Sequence, residues 1–476
     1  MHKNFGKTIS IVLFAVVLVT ACAVKTVYYE DLNNLISGER YNEAVNLAQA
    51  TRDKSYGKKN SLLYYLDTGL LFQLSGQYSK SNEAFEKAKK LAEKYFTKSV
   101  TTEASTYLIS DNMRPYYGED FERALINVFS AVNYIMLGKG DEALVEARQA
   151  DHFLKTLQTN YGHKNVYKED AFARYIMGMV YEDQGEINDA FISYRLALKA
   201  YKNYQKNYKV PVPKTLVNDA LRTASLLGFK DEIQSIKQEW PNAVLKKFSK
   251  DQGELIVLNY NGFPAEKIDS FFEISFGKAW TYVDQSDVRG GSEAEKVEKA
   301  SAIARSIVYD EQIRMAFPKY VRIPYRARNF KLIHDNPNIK PVRGEVAEDI
   351  SAIAVQNLKR RIARIKIKTI VRAAIKHSLA KNVSEKVKKD SGSKFMGWLA
   401  KAAVKTASAA TEHADKRSWR SLPDKIIVAR MPLQKGAHSV KLRYFDKNNL
   451  VVREKTLNNV NIKAGKKTFV IVRTAI

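Results

Sequence analysis

The sequence predicts an α+β multidomain protein. It reads as an N-terminal α-solenoid, a mixed α/β region with a basic helical hairpin, and a small C-terminal antiparallel β-sandwich. Three observations predict this. Between Tyr28 and Tyr204 there is a single proline, Pro115, and a set of small and aromatic residues recurs along that span. After Trp240-Pro241 the pattern changes to short apolar runs closed by turn residues. From Ile426 onward, short β-branched runs alternate with turn signals such as Lys435-Gly436 and Ala464-Gly465-Lys466.

The first element, residues 1–21, has a basic start (Lys3, Lys7) and an apolar run from Ile9 to Val19 broken only by Ser10. These are the n-region and h-region of a secretory signal peptide. The run is about half the ~20 residues needed to span a bilayer. It closes on Val19-Thr20-Ala21-Cys22, and Cys22 is the only cysteine in 476 residues. The four residues resemble the lipobox of bacterial lipoproteins. That resemblance implies a diacylglycerol on the Cys22 thiol, cleavage before Cys22 and acylation of the new amine. The alternative is a chance cysteine near a plain cleavage site. A single cysteine allows no internal disulfide, so packing has to hold the exported chain. Ala23 and Val24 follow, with no aspartate. By resemblance to Gram-negative lipoproteins this implies the outer membrane, facing the periplasm. A Gram-positive surface is the alternative.

Charge narrows the partners. The net charge is +27, and removing Lys3 and Lys7 with the leader leaves +25. Export argues against nucleic acid as the partner. It leaves anionic lipid, lipopolysaccharide or wall polymer, or a basic surface that is simply solvated.

The second element, residues 22–240, is a helical-repeat domain. Tyr65, Gly69, Phe72, Gly76, Tyr78, Ser81, Phe85 and Ala88 form the reference set. A shift of 109 residues gives Arg174, Gly178, Tyr181, Gly185, Ile187, Ala190, Tyr194 and Ala197. A shift of 62 gives Ala131, Tyr134, Gly138, Ala143, Ala147 and Ala150, and a partial copy lies at Tyr41, Ala44 and Ala48. A small residue followed by an aromatic faces a partner helix. A glycine then ends the first helix in the left-handed conformation, and a small residue lets the second helix approach. This spacing resembles the tetratricopeptide repeat, which implies a binding surface and no reaction. Steps of 37, 62 and 47 in place of a steady ~34 place insertions between hairpins. A generic helical bundle is the alternative. Tyr107, Tyr116, Tyr117, Tyr161 and Tyr167 lie in or beside the insertions, as partner anchors or as loop packing. Leu216 to Gln238 forms a further hairpin, turning at Gly228.

The third element, residues 241–344, is mixed α/β. Glu254 to Tyr260 reads as a buried strand ending at Asn261-Gly262. Phe271–Phe276 and Tyr320–Tyr325 read as strands, with a helix over Ser292–Tyr309. The fourth, residues 345–418, is a helical hairpin. Its first helix, from Glu345, carries Lys359, Arg360, Arg361, Arg364, Lys366, Lys368, Arg372 and Lys376 with no acid among them. Its second, Phe395 to about Arg417, is rich in alanine. The basic helix reads as a contact for an anionic surface, as an oligomer contact that would make the protein a homo-oligomer, or as a solvated face. The fifth, residues 419–476, holds strands at Ile426–Ala429, Val440–Tyr444, Leu450–Arg453, Val460–Ile462 and Thr468–Val472. Cys22, the repeats, Asp415–Pro423 and Ala429–Gly436 together resemble a family of large bacterial envelope lipoproteins. The resemblance implies architecture and location, and no reaction.

Common enzyme motifs are missing from the sequence, while a glycosidase-like carboxylate pair, recognised only in space, stays open. The seven histidines make no zinc-protease pair, and no Gly-x-Ser-x-Gly elbow or phosphate loop occurs. His413, near Glu412 and Asp415, reads as a solvated helix end. The sequence therefore predicts no cofactor, no metal and no enzyme. It predicts a lipid-anchored scaffold that binds an envelope protein partner through its repeats. The alternative is a glycan- or lipid-binding factor that uses the basic helix and β domain.

Overall fold

A computed structural model describes residues 28–101, 114–161, 167, 169–245, 249–275, 312–363, 365–366, 369 and 413–476. Cys22, residues 102–113, the helix expected at 292–309 and residues 370–412 lie outside them.

Among the described residues the helical half is five antiparallel hairpins. They pair α1 (28–37) with α2 (Tyr41–Ala50), α3 (Ser61–Leu74) with α4 (Tyr78–Thr101), and α5 (Asp120–Met136) with α6 (Gly140–Tyr161). α7 (Ala171–Gln184) pairs with α8 (Ile187–Tyr208), and α9 (Lys214–Leu226) with α10 (Lys230–Glu239). From α2 onward each helix packs on the next. The turns share one closure. Gly76, Gly138, Gly185 and Gly228 have φ of +78, +72, +88 and +72°, and Glu39 takes that place in the first turn at +58°. The next N–H then reaches back over the helix end, as Gln77 does to the Phe72 carbonyl and Arg40 to the Leu35 carbonyl. The helical half is tetratricopeptide-like in this sense: one hairpin, repeated with uneven spacing.

The β half differs from the expected division. One sheet has the order β10-β1-β7-β6, and a second β5-β4-β8-β9. Their strands are β1 (Gln252–Asn261), β4 (Asn329–His334), β5 (Val342–Arg343), β6 (Glu345–Asp349), β7 (Lys425–Gln434), β8 (Gly436–Phe445), β9 (Val451–Ile462) and β10 (Lys467–Thr474). Strands from before and after residue 419 therefore interleave, and residues 241–344 and 419–476 are not separate units. Nor is the sandwich wholly antiparallel, because β1 pairs with β10 in parallel. β2 (Glu266–Ser275) and β3 (Gln312–Val321) form a two-stranded antiparallel sheet of their own.

Three further expectations are corrected. Residues 345–349 are a strand paired to β7, and the helix α11 (350–363) starts after them. Residues 413–417 are not helical, and the rest of the expected second helix lies outside the described residues. Leu450–Arg453 and Val460–Ile462 belong to one strand, β9. The polar residues between them look like a loop because β9 is an edge strand with an exposed face.

Alternation explains why β1 and β7 read as unbroken apolar runs. Leu255, Val257, Ile427, Ala429 and Met431 face the second sheet and build the sandwich core. Ile256, Leu258, Tyr260, Ile426 and Val428 face the other way and merge with the core of the solenoid. Both faces of the sheet are covered, which favours continuous hydrophobic runs over alternating ones.

Candidate binding surfaces

The first helix of every hairpin supplies a residue that bonds to the β half. Ser37 Oγ on α1 donates to the Ala475 carbonyl at 2.9 Å. Asp67 on α3 accepts from Ser421 N–H (3.2 Å) and Oγ (2.7 Å). Glu122 on α5 accepts from the Trp419 N–H at 2.6 Å. Tyr175 on α7 accepts from Arg430 at 2.8 Å, and Asp219 on α9 pairs with the same guanidinium. At the N-terminus of α9, Glu345 accepts from the backbone of Lys214 and Thr215, where a carboxylate suits the helix dipole.

Trp419 is the peg of this interface. It is 1% exposed, with its ring centroid 5.9 Å from Phe85 and 5.6 Å from Phe129, both edge-on. Its Nε1 donates to Ser421 Oγ at 2.9 Å. Arg417 pairs with Asp415, donates to the Arg114 carbonyl and lies over the Tyr116 ring. The stretch Asp415–Pro423 thus lies along the solenoid as a ligand would, although it belongs to the same chain.

Burial sets the electrostatics. Desolvation, and then Glu119, pushes the Glu122 carboxyl up to about 7. Desolvation likewise pushes Asp67 up to about 6, against hydrogen bonds from Ser421 and Tyr56. Burial acts on Glu119 too, but Lys267 and Arg361 outweigh it and hold that carboxyl at about 2. A second buried cluster joins α7, α9, β1, β7 and β10. In it Arg430 reaches Asp219 and Glu254, Arg222 reaches Glu182 and Asp219, and Lys467 reaches Glu182 and Glu254. Each acid meets two cations, so none of the charges is left bare, the condition under which buried ion pairs are tolerated.

The repeat residues lie inside the hairpins. A Cβ on Gly69 would stand 2.4 Å from the Phe85 ring, and one on Gly178 2.3 Å from Tyr194. Ala88, Ala190 and Ala197 are buried between helices. Gly76 and Gly185 form the turns. Tyr181 is buried beneath Arg148, while Tyr65 and Phe72 are half-buried beside α2. Tyr116 and Tyr167 are buried and bond to Glu122 and Asp170, so these two pack loops and anchor no partner.

The basic helix is split. Lys359 and Arg360 are exposed. Arg361 pairs with Glu119 at 2.6 Å, which corrects its assignment to an external surface. Lys366 lies 5.8 Å over the Phe317 ring. Arg364, Lys368, Arg372 and Lys376 lie outside the described residues, as does Cys22. His413 bonds to Asp269 at 3.1 Å. Among the described residues no three metal-ligating side chains converge, and no helix is long and apolar enough to cross a membrane.

The sequence reading missed Asp67, Glu122, Trp419 and Arg430. A partial signal existed, since Asp67 interrupts the run Leu62–Leu74 and Arg430 follows Ile426–Ala429. Neither their partners nor their burial could be read from spacing.

Two open grooves lie on the side formed by the second helices. One, of ≈ 600 Å³, runs between α2 and α4 over α3. The other, of ≈ 420 Å³, runs between α4 and the α5–α6 turn.

Comparison with protein families gives no match, and no curated protein matches. Similar solved structures include a Podosopora anserina putative kinesin light chain with nearly identical TPR-like repeats. It is 14% identical, over 45% of this chain and 92% of that chain, with a TM-score of 0.30. YrrB, described as a TPR protein with an unusual peptide-binding site, is 13% identical over 46% of this chain and 87% of that one, at 0.27. MamA AMB-1 is 13% identical over 47% and 94%, at 0.26.

Proposed function

We propose that this protein is a lipid-anchored scaffold of the bacterial envelope. It is tethered through Cys22 to the outer membrane, faces the periplasm, and holds a protein partner on the outer side of its solenoid. One observation carries the choice of side. Ser37, Asp67, Glu122, Tyr175 and Asp219, one on each first helix, all bond to the β half, so the face of the first helices is covered by the chain itself. The expected use of the repeats is kept, but it moves to the second helices. There Val145 on α6 and Ile192 and Leu196 on α8 are exposed apolar residues.

The test is photo-crosslinking in cells with the reactive group placed at Val145 and at Ile192. The expected result is a discrete adduct with one envelope protein from either position. No adduct from either position would remove the outer face as the docking side.

A second reading rests on Lys359 and Arg360. Both are exposed. They would serve an anionic lipid, lipopolysaccharide or wall-polymer contact.

A further inference from the structure

The groove between α2 and α4 has α3 as its floor. α6, which stands against α7 as α2 stands against α3, runs 22 residues, whereas α2 stops after 10. The chain then leaves through a single π-helical turn, Arg52–Tyr56. Tyr64, Tyr65 and Phe72 of α3 line the floor of the groove, and α2 forms one wall from Asn42 to Gln49.

The two seams also differ in charge at matching positions. Shifting Arg174 back by 109 residues gives Tyr65. Shifting Asp151 back by 62 and then by 37 gives Arg52. In the α6–α7 seam Asp151 pairs with Arg174 at 2.7 Å, so carboxylate and cation both come from the chain. In the α2–α3 seam the carboxylate is replaced by a cation: Arg52 Nη2 donates to Tyr65 Oη at 3.3 Å. Its guanidinium also lies 4.7 Å over Tyr64 and 5.5 Å over Tyr65. From the α4 side Lys87 lies 5.8 Å over Tyr65 and Lys80 5.9 Å over Phe72. Among the described residues none of these three cations pairs with a carboxylate, and Glu83 is the one acid lining the groove. The rim adds the exposed amides of Asn42, Asn46 and Gln49, which can donate to and accept from a peptide backbone.

We propose that this groove binds an extended acidic segment of the partner protein, with Arg52, Lys80 and Lys87 receiving its carboxylates and the α2 amides its backbone. The inference rests on the scaffold reading and gives it an address. Charge complementarity selects the occupant. Three cations that pair with no carboxylate among the described residues lie over an aromatic floor beside a single acid, Glu83, and attract carboxylates; such pairing sets specificity and encounter rate. A neutral glycan fits less well, because cations already lie over the tyrosine rings on which a sugar would stack.

The test uses the full chain carrying Cys22→Ser and a fluorescein-labelled decaglutamate peptide, followed by fluorescence anisotropy. Decaglutamate should bind at low salt and weaken toward physiological salt. Lys80→Glu with Lys87→Glu should weaken binding by about tenfold or more. Lys359→Glu with Arg360→Glu makes the same change in net charge elsewhere and should leave binding unchanged. Lys87→Gln alone should give an intermediate loss without adding a repulsive charge. Equal loss in both double variants means that net charge alone attracts the peptide, and overturns the site. So does wild-type binding by Lys80→Glu/Lys87→Glu, or no binding at low salt. Polygalacturonate that binds more tightly than decaglutamate, and is lost in the same variant, reassigns the groove to an acidic glycan and overturns the peptide. If the Ile192 crosslink persists in Lys80→Glu/Lys87→Glu cells, the scaffold stands and this groove is not its contact.

Discussion

The main-chain N–H of Trp419 donates to the carboxylate of Glu122 at 2.6 Å, across 297 residues of sequence. The other carboxylate oxygen accepts from the Tyr116 hydroxyl at 2.5 Å and the Glu119 N–H at 3.0 Å. One buried side chain thus starts α5, holds the preceding loop and seats the Trp419 segment. The contact makes solenoid and sandwich a single folded unit, and it directs the following predictions.

Trp419→Ala should cost about 3–5 kcal/mol, the usual range for emptying a large aromatic site. The expected result is a lower urea midpoint and new proteolytic cutting between residues 413 and 424. An unchanged midpoint would mean that the ring contributes little to docking.

Gly178→Ala should be destabilising by about 1–3 kcal/mol, since its Cβ would stand 2.3 Å from the Tyr194 ring. Adding Tyr194→Ala recreates the Ala131/Ala147 combination found at the same places one hairpin earlier. A double-mutant cycle by urea denaturation should show coupling between the two sites, with part of the Gly178→Ala cost removed once the ring is gone. Strict additivity would place the ring elsewhere.

Stability should fall as pH rises from about 5 to about 8. Folded Glu122 and Asp67 keep their protons up to about 7 and about 6, above the ordinary 4.5 and 3.8. Between those limits the native state binds more protons than the unfolded chain, so the contribution is full at low pH and is lost as pH passes the folded values. Glu119, held at about 2, acts in the opposite sense and only in strong acid. Urea midpoints against pH should show this slope, and Glu122→Gln should flatten it.

Cys22→Ser should move the protein from the membrane fraction to the soluble periplasm and abolish labelling by a palmitate analogue. Label retained by the variant would refute the lipid anchor.

The sequence by itself determined local structure. Gly76, Gly138, Gly185 and Gly228 marked four of the five helical turns, because a left-handed helix end tolerates little else. The matched sets at shifts of 62 and 109 marked the hairpins. The apolar runs at Glu254–Tyr260 and Ile426–Ala429 marked β1 and β7. Tertiary structure decided what those elements are for. Strand periodicity is silent about pairing partners, so β1 joining β10 and β7 across some 200 residues could not be read from it. Nor could the covering of the first-helix face by Trp419. That depends on a carboxylate, Glu122, that reads as an ordinary helix-start residue until the opposite end of the chain is placed against it. The basic helix shows the same limit. Eight like charges are legible in sequence, but only the fold pairs Arg361 with Glu119 and leaves Lys359 and Arg360 in solvent, because a charge's meaning depends on what lies within a few ångströms of it.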